Sequence, residues 1–262
     1  MTDAPRRHLQ SLNMSLDVLE LLAEAAGPLS MAEIAARLAL GKATVHGVLS
    51  NLEARRYVER VSGRGGYRLG QRVWELGVVA GEFIELKNIA HPHLVALTEL
   101  SGESSQLSEY LGGDVIYLDR VESSNPVRAN IHIGRRAPAH AVATGKALLA
   151  FQSEAEIERV CAGPLVAYTP NTKTDPDALR AELAEVRARG FALNPGEYRG
   201  EIIGVAAPIR DHTDAVVAAV SVSGPAYRFS IGDAMALAPN IQDAAAEISR
   251  KLGHQTHKKL RA

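Results

Sequence analysis

Residues 30–52 carry two helical signals separated by only three residues, and so short a connection fixes how the two helices must meet. Ser30-Met31-Ala32-Glu33 is a capping box, in which the Ser30 hydroxyl accepts from the Glu33 amide while the Glu33 carboxylate reaches back. Ile34, Ala35 and Leu38 form a buried stripe. After the turn Ala39-Leu40-Gly41, Val45, Val48, Leu49 and Leu52 supply the i, i+3, i+4, i+7 face of a second helix. A turn of this length makes the pair a helix-turn-helix. Ahead of it, Leu12, Leu16, Leu19 and Leu22 mark another amphipathic helix ending near Gly27-Pro28. Behind it, residues 57–61 and 67–69 read as short strands around the tip Ser62-Gly63-Arg64-Gly65-Gly66. Three helices and a basic hairpin make a winged helix-turn-helix.

Charge is uneven in the same place. Between Lys42 and Arg68 stand Lys42, Arg55, Arg56, Arg60, Arg64 and Arg68 against Glu53 and Glu59, a local charge of +4 in a chain of formal charge -1. The whole molecule has no strong field toward nucleic acid or membrane; this segment has one. A helix-turn-helix lays its second helix in the major groove, with its early residues at base edges and flanking cations on phosphate. Thr44, His46 and Asn51 are therefore candidate base readers, and the six basic residues candidate phosphate and wing contacts. With Ala43 and Gly47 beside them, the DNA-facing set is Lys42, Ala43, Thr44, His46, Gly47, Asn51, Arg55, Arg56, Arg64 and Arg68.

At 262 residues and 46% hydrophobic the chain buries a sizeable core and favours two domains. One cysteine, Cys161, excludes a disulfide framework and a multi-cysteine zinc site, and fits a reducing compartment, the cytoplasm. No secretory h-region and no uncharged apolar run of membrane-spanning length is present, so neither export nor membrane insertion is expected. A helix over residues 71–85 carries Val73, Trp74, Leu76, Val79 or Ala80, and Phe83, and reads as a linker helix and subunit contact. Beyond it the spacing predicts a helix at 92–100 with Pro92 in its first turn, then a hairpin of strands 106–111 and 115–121 about Gly112-Gly113-Asp114. A helix opened by Asp175-Pro176 carries Leu179, Leu183 and Val186 and closes at Gly190. Core strands follow at 202–209 and 216–223, and a last helix at 230–251. The expected fold class is α+β: residues 1–70 a DNA-binding domain, 71–87 a linker helix, 88–253 a domain of helices on an antiparallel sheet, and 254–262 a polar tail.

Catalytic signatures fail. Thr144-Gly145-Lys146-Ala147 has the end of a P-loop, but His140 stands where its first glycine belongs and Ala147 where Ser or Thr must follow the lysine. Neither Ser221 nor Ser223 sits in a Gly-x-Ser-x-Gly elbow. His91-Pro92-His93 and the pair His254, His257 lack companion zinc ligands and read as surface histidines; Cys161 reads as a packing residue. No cofactor or metal is expected, and no enzymatic activity. A segment 143–146 preceding an apolar helical stretch 147–151 would suit a carboxylate or phosphate at a helix start, against the plainer reading of a helix start with a solvated lysine.

These residues together resemble the IclR-type bacterial transcriptional regulators over nearly the whole chain. Residues 29–52 look like the family's helix-turn-helix and Tyr67-Arg68-Leu69-Gly70 like the closing strand of its wing. Residues 138–150 are similar to its effector-domain signature, and 204–209 with 220–225 to its paired terminal strands. The resemblance implies a homodimer or dimer of dimers, a GAF-like effector domain, and a regulator, repressor or activator, of a catabolic operon that binds operator DNA and a small organic acid. It assigns Ala143, Thr144, Asn194, Gly204, Ser221 and Ser223 to the effector site. Ser221 and Ser223 alternate along one strand and so share a face. Gly47 stands where most members have arginine, as in a branch resembling regulators of glycerol operons, which hints at polyol or sugar-phosphate catabolism. Asn194 replaces an acid seen in some pockets. Effector binding is expected to act on the DNA domains through the 71–85 helix. The competing readings are an enzyme built on the GAF-like domain and a DNA-binding protein with no ligand.

Overall fold

A computed structural model of the chain describes residues 10–25, 27–61, 65–79, 83–129 and 131–254. The chain divides into two compact units, Met1–Glu82 and Phe83–Ala262.

In the first unit, α1 (Gln10–Glu24), α2 (Met31–Arg37) and α3 (Lys42–Ala54) precede a hairpin of β1 (Val58–Arg60) and β2 (Tyr67–Leu69). The capping box opens α2 as expected: Glu33 N donates to Ser30 Oγ at 3.3 Å, and Ser30 N to Glu33 Oε2 at 2.8 Å. Ile34, Val45, Leu49 and Val58 are buried together with Val18 and Leu22 of α1. Leu12 and Leu16, expected on the buried stripe, are exposed; the packed face of α1 runs instead through Met14, Val18 and Leu22. Leu29 pairs with Tyr67 through two backbone hydrogen bonds of 3.0 and 2.7 Å and adds a bridge to the wing. The tip residues 62–64, Arg64 among them, lie outside the described residues.

Helix α4 (Gln71–Val79) closes this unit, and α5 (Phe83–Ser101) opens the second. These replace the expected helices 71–85 and 92–100; Ala80 and the side chains of Val79 and Phe83 fall outside what is described. Pro92 sits inside α5 rather than at its start. Proline within a helix costs about 3 kcal/mol, but the turns added before it bury Leu86, which contributes about 1.5–3 kcal/mol, and Ala90, and pack Ile89 against the core. Burial wins.

The second unit is a six-stranded antiparallel sheet in the order β5-β4-β3-β8-β7-β6, from β3 (Ser104–Leu111), β4 (Asp114–Val121), β5 (Arg136–Pro138), β6 (Ala192–Pro195), β7 (Ile202–Arg210) and β8 (Val216–Pro225). The β3–β4 turn needs positive φ at both central residues, met by Gly112 (56°) and Gly113 (98°). On one face α5 and α9 (Ile231–Lys251) cover Val205, Ala207, Val220 and Val222. On the other, α6 (Ala143–Leu149), α7 (Glu154–Ala162) and α8 (Pro176–Arg189) cover Val115, Ala206 and Ala219. Strands apolar on both faces fill the middle of such a sandwich, so residues 202–209 and 216–223 read as continuous hydrophobic runs. α8 is built as expected, Asp175 capping Ala178 N at 2.9 Å and Gly190 ending it at φ 78°. Cys161 is buried with Leu179 and Leu183.

Candidate functional site

The first unit presents the face that the helix-turn-helix reading requires. Along α3, Val45, Val48, Leu49 and Leu52 are buried, while Lys42, Ala43, Thr44, His46, Gly47 and Asn51 are exposed. Arg55 caps the C-terminus of α3 and Arg56 follows in a left-handed conformation (φ 63°); both are exposed. Not all of this set is free. Asn51 Nδ2 donates to Gly47 O at 2.9 Å, Arg56 to Gln71 Oε1 at 3.2 Å, and Arg68 to Glu59 Oε1 at 2.5 Å; Arg60 lies over the Tyr67 ring at 5.6 Å.

In the second unit the strand register lines up the other assigned residues. Asn194 pairs with Gly204, Gly204 with Ser223, Ser223 with Ser104, and Ser221 with Gln106. Alternation turns all of these to the face that α6 covers. A cavity of about 100 Å³ lies there, and Ala143, Thr144, Asn194, Gly204, Ser221 and Ser223 all line it. Tyr117, Ile131, Val142 and Ile202 add apolar wall, and His132, Arg135, Arg136 and Arg199 add cations; no carboxylate appears among the described lining residues. The three arginines have no ion-pair partner among the described residues, so the cavity is left electropositive.

The polar groups inside are specifically held. Asn194 Oδ1 accepts from the Glu197 amide at 2.7 Å, which leaves the Asn194 Nδ2 donors without a protein acceptor among the described residues. Thr144 is 3% exposed, and its hydroxyl has no partner at hydrogen-bond geometry among the described residues; the Tyr117 hydroxyl lies beside it, its pKa pushed up to about 12 by burial, a rise that the nearby Thr144 hydroxyl opposes. Gln106, 1% exposed, bonds both serines: Ser221 Oγ donates to its Oε1 at 2.8 Å, and its Nε2 donates to Ser223 Oγ and to Ser104 O, each at 2.9 Å. Gln106 carries no motif in the sequence. Only its register opposite Ser221 brings it to the site.

Helix α6 begins at Ala143, not at residue 147, and Lys146 is not the solvated lysine of the plain reading. It is wholly buried, bonded through Nζ to Glu182 Oε1 at 2.8 Å and to the buried Glu197. Lys173 Nζ completes the cluster at 2.8 Å from Glu182 and 3.3 Å from Glu197. Burial opposes ionisation of Glu182, but Lys146 and Lys173 outweigh it and hold its pKa below the usual carboxylate value. Because Glu197 adjoins Tyr198 and Arg199, the cluster fixes one wall of the cavity. Gly145 lets α6 come this close: an added Cβ would stand 2.3 Å from Ala139 O.

Among the described residues no group of His, Cys, Asp and Glu could hold a metal, and no helix is long and apolar enough to cross a membrane. His91, half exposed, bonds Asp119 at 2.7 Å, and His93 meets Lys251 at 3.1 Å; His257 lies outside the described residues.

A winged helix-turn-helix joined in one chain to a cavity-bearing α+β unit defines a DNA-binding transcriptional regulator. The model of the IclR helix-turn-helix domain matches residues 11–62, and that of the bacterial transcriptional regulator IclR C-terminal domain residues 80–250. The chain belongs to the IclR family. It is 38% identical over 232 residues to the probable transcriptional regulator SauR of Cupriavidus necator, covering 88% of this chain and 92% of that one. It is 34% identical over 249 residues to the glycerol operon regulatory protein of Streptomyces griseus, covering 94% and 98%. Among solved structures, the IclR homolog of Microbacterium hydrocarbonoxydans complexed with 4-hydroxybenzoate superposes with a TM-score of 0.82 at 29% identity, covering 92% of this chain and 98% of that one.

Proposed function

We propose that this protein regulates a catabolic operon by binding operator DNA through α3 and the wing and a small organic acid in the cavity of the second unit. The observation that carries the effector half is the cavity lining: three unpaired arginines and a histidine without a carboxylate among the described residues, around the buried polar groups of Thr144, Asn194, Ser221 and Ser223. Such a site favours an anion. The acid held by the Microbacterium relative supports that class. Residues 1–70 serve DNA, 88–253 the effector, and 71–87 connect them. Self-association, as a homodimer or dimer of dimers, draws on the exposed Trp74 and Leu76 of α4.

Fluorescence anisotropy with the protein's own promoter against random fragments, with and without acids such as 4-hydroxybenzoate, tests the proposal. The expected preference is roughly 10³-fold or more. Calorimetry on the Arg135→Ala/Arg136→Ala variant is expected to show acid binding weakened by about tenfold, the loss of one charge-assisted hydrogen bond. No promoter preference under any condition overturns the DNA half; unchanged acid affinity in the variant overturns the effector half.

A further inference from the structure

The two cavity serines do not present the same chemistry, and Gln106 decides the difference. Its amide orientation is fixed by Ser104 O, which can only accept: the atom 2.9 Å from that carbonyl must be Nε2. The second Nε2 hydrogen then goes to Ser223 Oγ at 2.9 Å, and Oε1 receives the Ser221 proton at 2.8 Å. A hydroxyl has one proton. Ser221 has spent its own on Gln106, so it offers the cavity lone pairs alone. Ser223, accepting from Nε2, keeps a proton whose only acceptor among the described residues is the same Oε1 at a longer 3.3 Å; a ligand acceptor can draw it away. All three side chains are at least nine-tenths buried (1%, 3% and 7% exposed), so water cannot readily rearrange this pattern.

A carboxylate set on Ser221 would bring lone pair against lone pair in a desolvated site, which costs the full price of an unmade hydrogen bond. A ligand hydroxyl fits instead, donating to Ser221 Oγ and accepting from Ser223. The carboxylate then belongs toward the unpaired Arg135, Arg136 and Arg199 and the Asn194 Nδ2 donors. From this donor and acceptor pattern we infer that the cavity selects hydroxylated carboxylic acids over their deoxy counterparts, and that Gln106 is the residue that sets this selectivity by polarising Ser221 and Ser223. The inference rests on the effector reading above and adds the ligand class.

The test is calorimetry on the full chain with three matched pairs of probes: glycolate and acetate, lactate and propionate, 3-hydroxybutyrate and butyrate. At least one hydroxylated member is expected to bind tenfold or more tightly than its partner, with no pair reversed. In Gln106→Leu the Ser221 proton is released to the cavity, and the hydroxyl preference is expected to fall below threefold as the plain acid gains. Ser221→Ala removes the acceptor while Gln106 stays held through Nε2 by Ser104 O and Ser223 Oγ, and is expected to erase the same preference, so a misfolded Gln106→Leu leaves the inference open to refutation. Acids that bind without regard to the hydroxyl, or a preference that survives in Ser221→Ala, overturn the Gln106 assignment and leave the effector cavity standing. No binding by any of the six acids overturns the hydroxy-acid inference, and the effector reading falls as well only if the wider acids of the preceding test also fail.

Discussion

Lys146 shows how much a single side chain can hold in place here. Its ammonium, 0% exposed, faces Glu182 and Glu197, and removing it leaves carboxylates buried without their main counter-charge. Breaking a buried pair this way costs about 3–5 kcal/mol, so Lys146→Met is expected to lower the urea midpoint of the second unit sharply, while a volume-matched surface lysine change leaves it unmoved. The same cluster sets an acid limit. Because the folded state holds the Glu182 pKa below its ordinary value, its contribution is complete above that ordinary value and is lost as pH falls through the lower, folded one. Unfolding followed by circular dichroism should show an acid-side loss of stability that is shallower in Glu182→Gln. Lysine in the sequence Thr144-Gly145-Lys146 reads as a solvated charge, since nothing local marks its partners; Glu182 and Glu197 lie 36 and 51 residues away.

At the scale of elements, helices announced by caps and stripes were legible: the Ser30 and Glu33 box, the Asp175 cap and the Gly190 terminator all act where local chemistry places them. Elements whose limits depend on packing were not. α5 runs through Pro92 because Leu86, Ile89 and Ala90 ahead of it pack into the core, and α6 starts four residues early because Gly145 admits it against Ala139. Gly145→Ala places Cβ 2.3 Å from a backbone oxygen that belongs to the adjoining turn. Overpacking of that kind costs about 1–3 kcal/mol. Thermal unfolding is expected to come earlier, and acid binding to weaken because Ala143 and Thr144 move with the helix.

At the scale of the whole molecule, phosphate contacts make operator binding depend on salt. Each phosphate contact contributes about 0.9 to the slope of log affinity against log salt, so Lys42→Ala should flatten that slope by about 0.9 per protomer bound, uniformly across DNA sequences. His46→Ala should instead cost about 1–3 kcal/mol and relax sequence preference. An effector that changes operator affinity must have its own affinity changed by the same factor, with a coupling of about 1–3 kcal/mol measurable in either direction. By itself the sequence determined the helix-turn-helix, the exposed polar face of α3, the strands β3, β4, β7 and β8 with the helices α8 and α9 of the second unit, and the serine pair, because each rests on spacing within one element or on a recognisable family pattern. Only the tertiary structure decided that Gln106 polarises those serines, that Lys146 is buried between two glutamates, and that Arg135, Arg136 and Arg199 line one cavity. Those facts depend on strand register and on chain segments far apart in sequence, and no local pattern of residues encodes which distant side chain will be the partner.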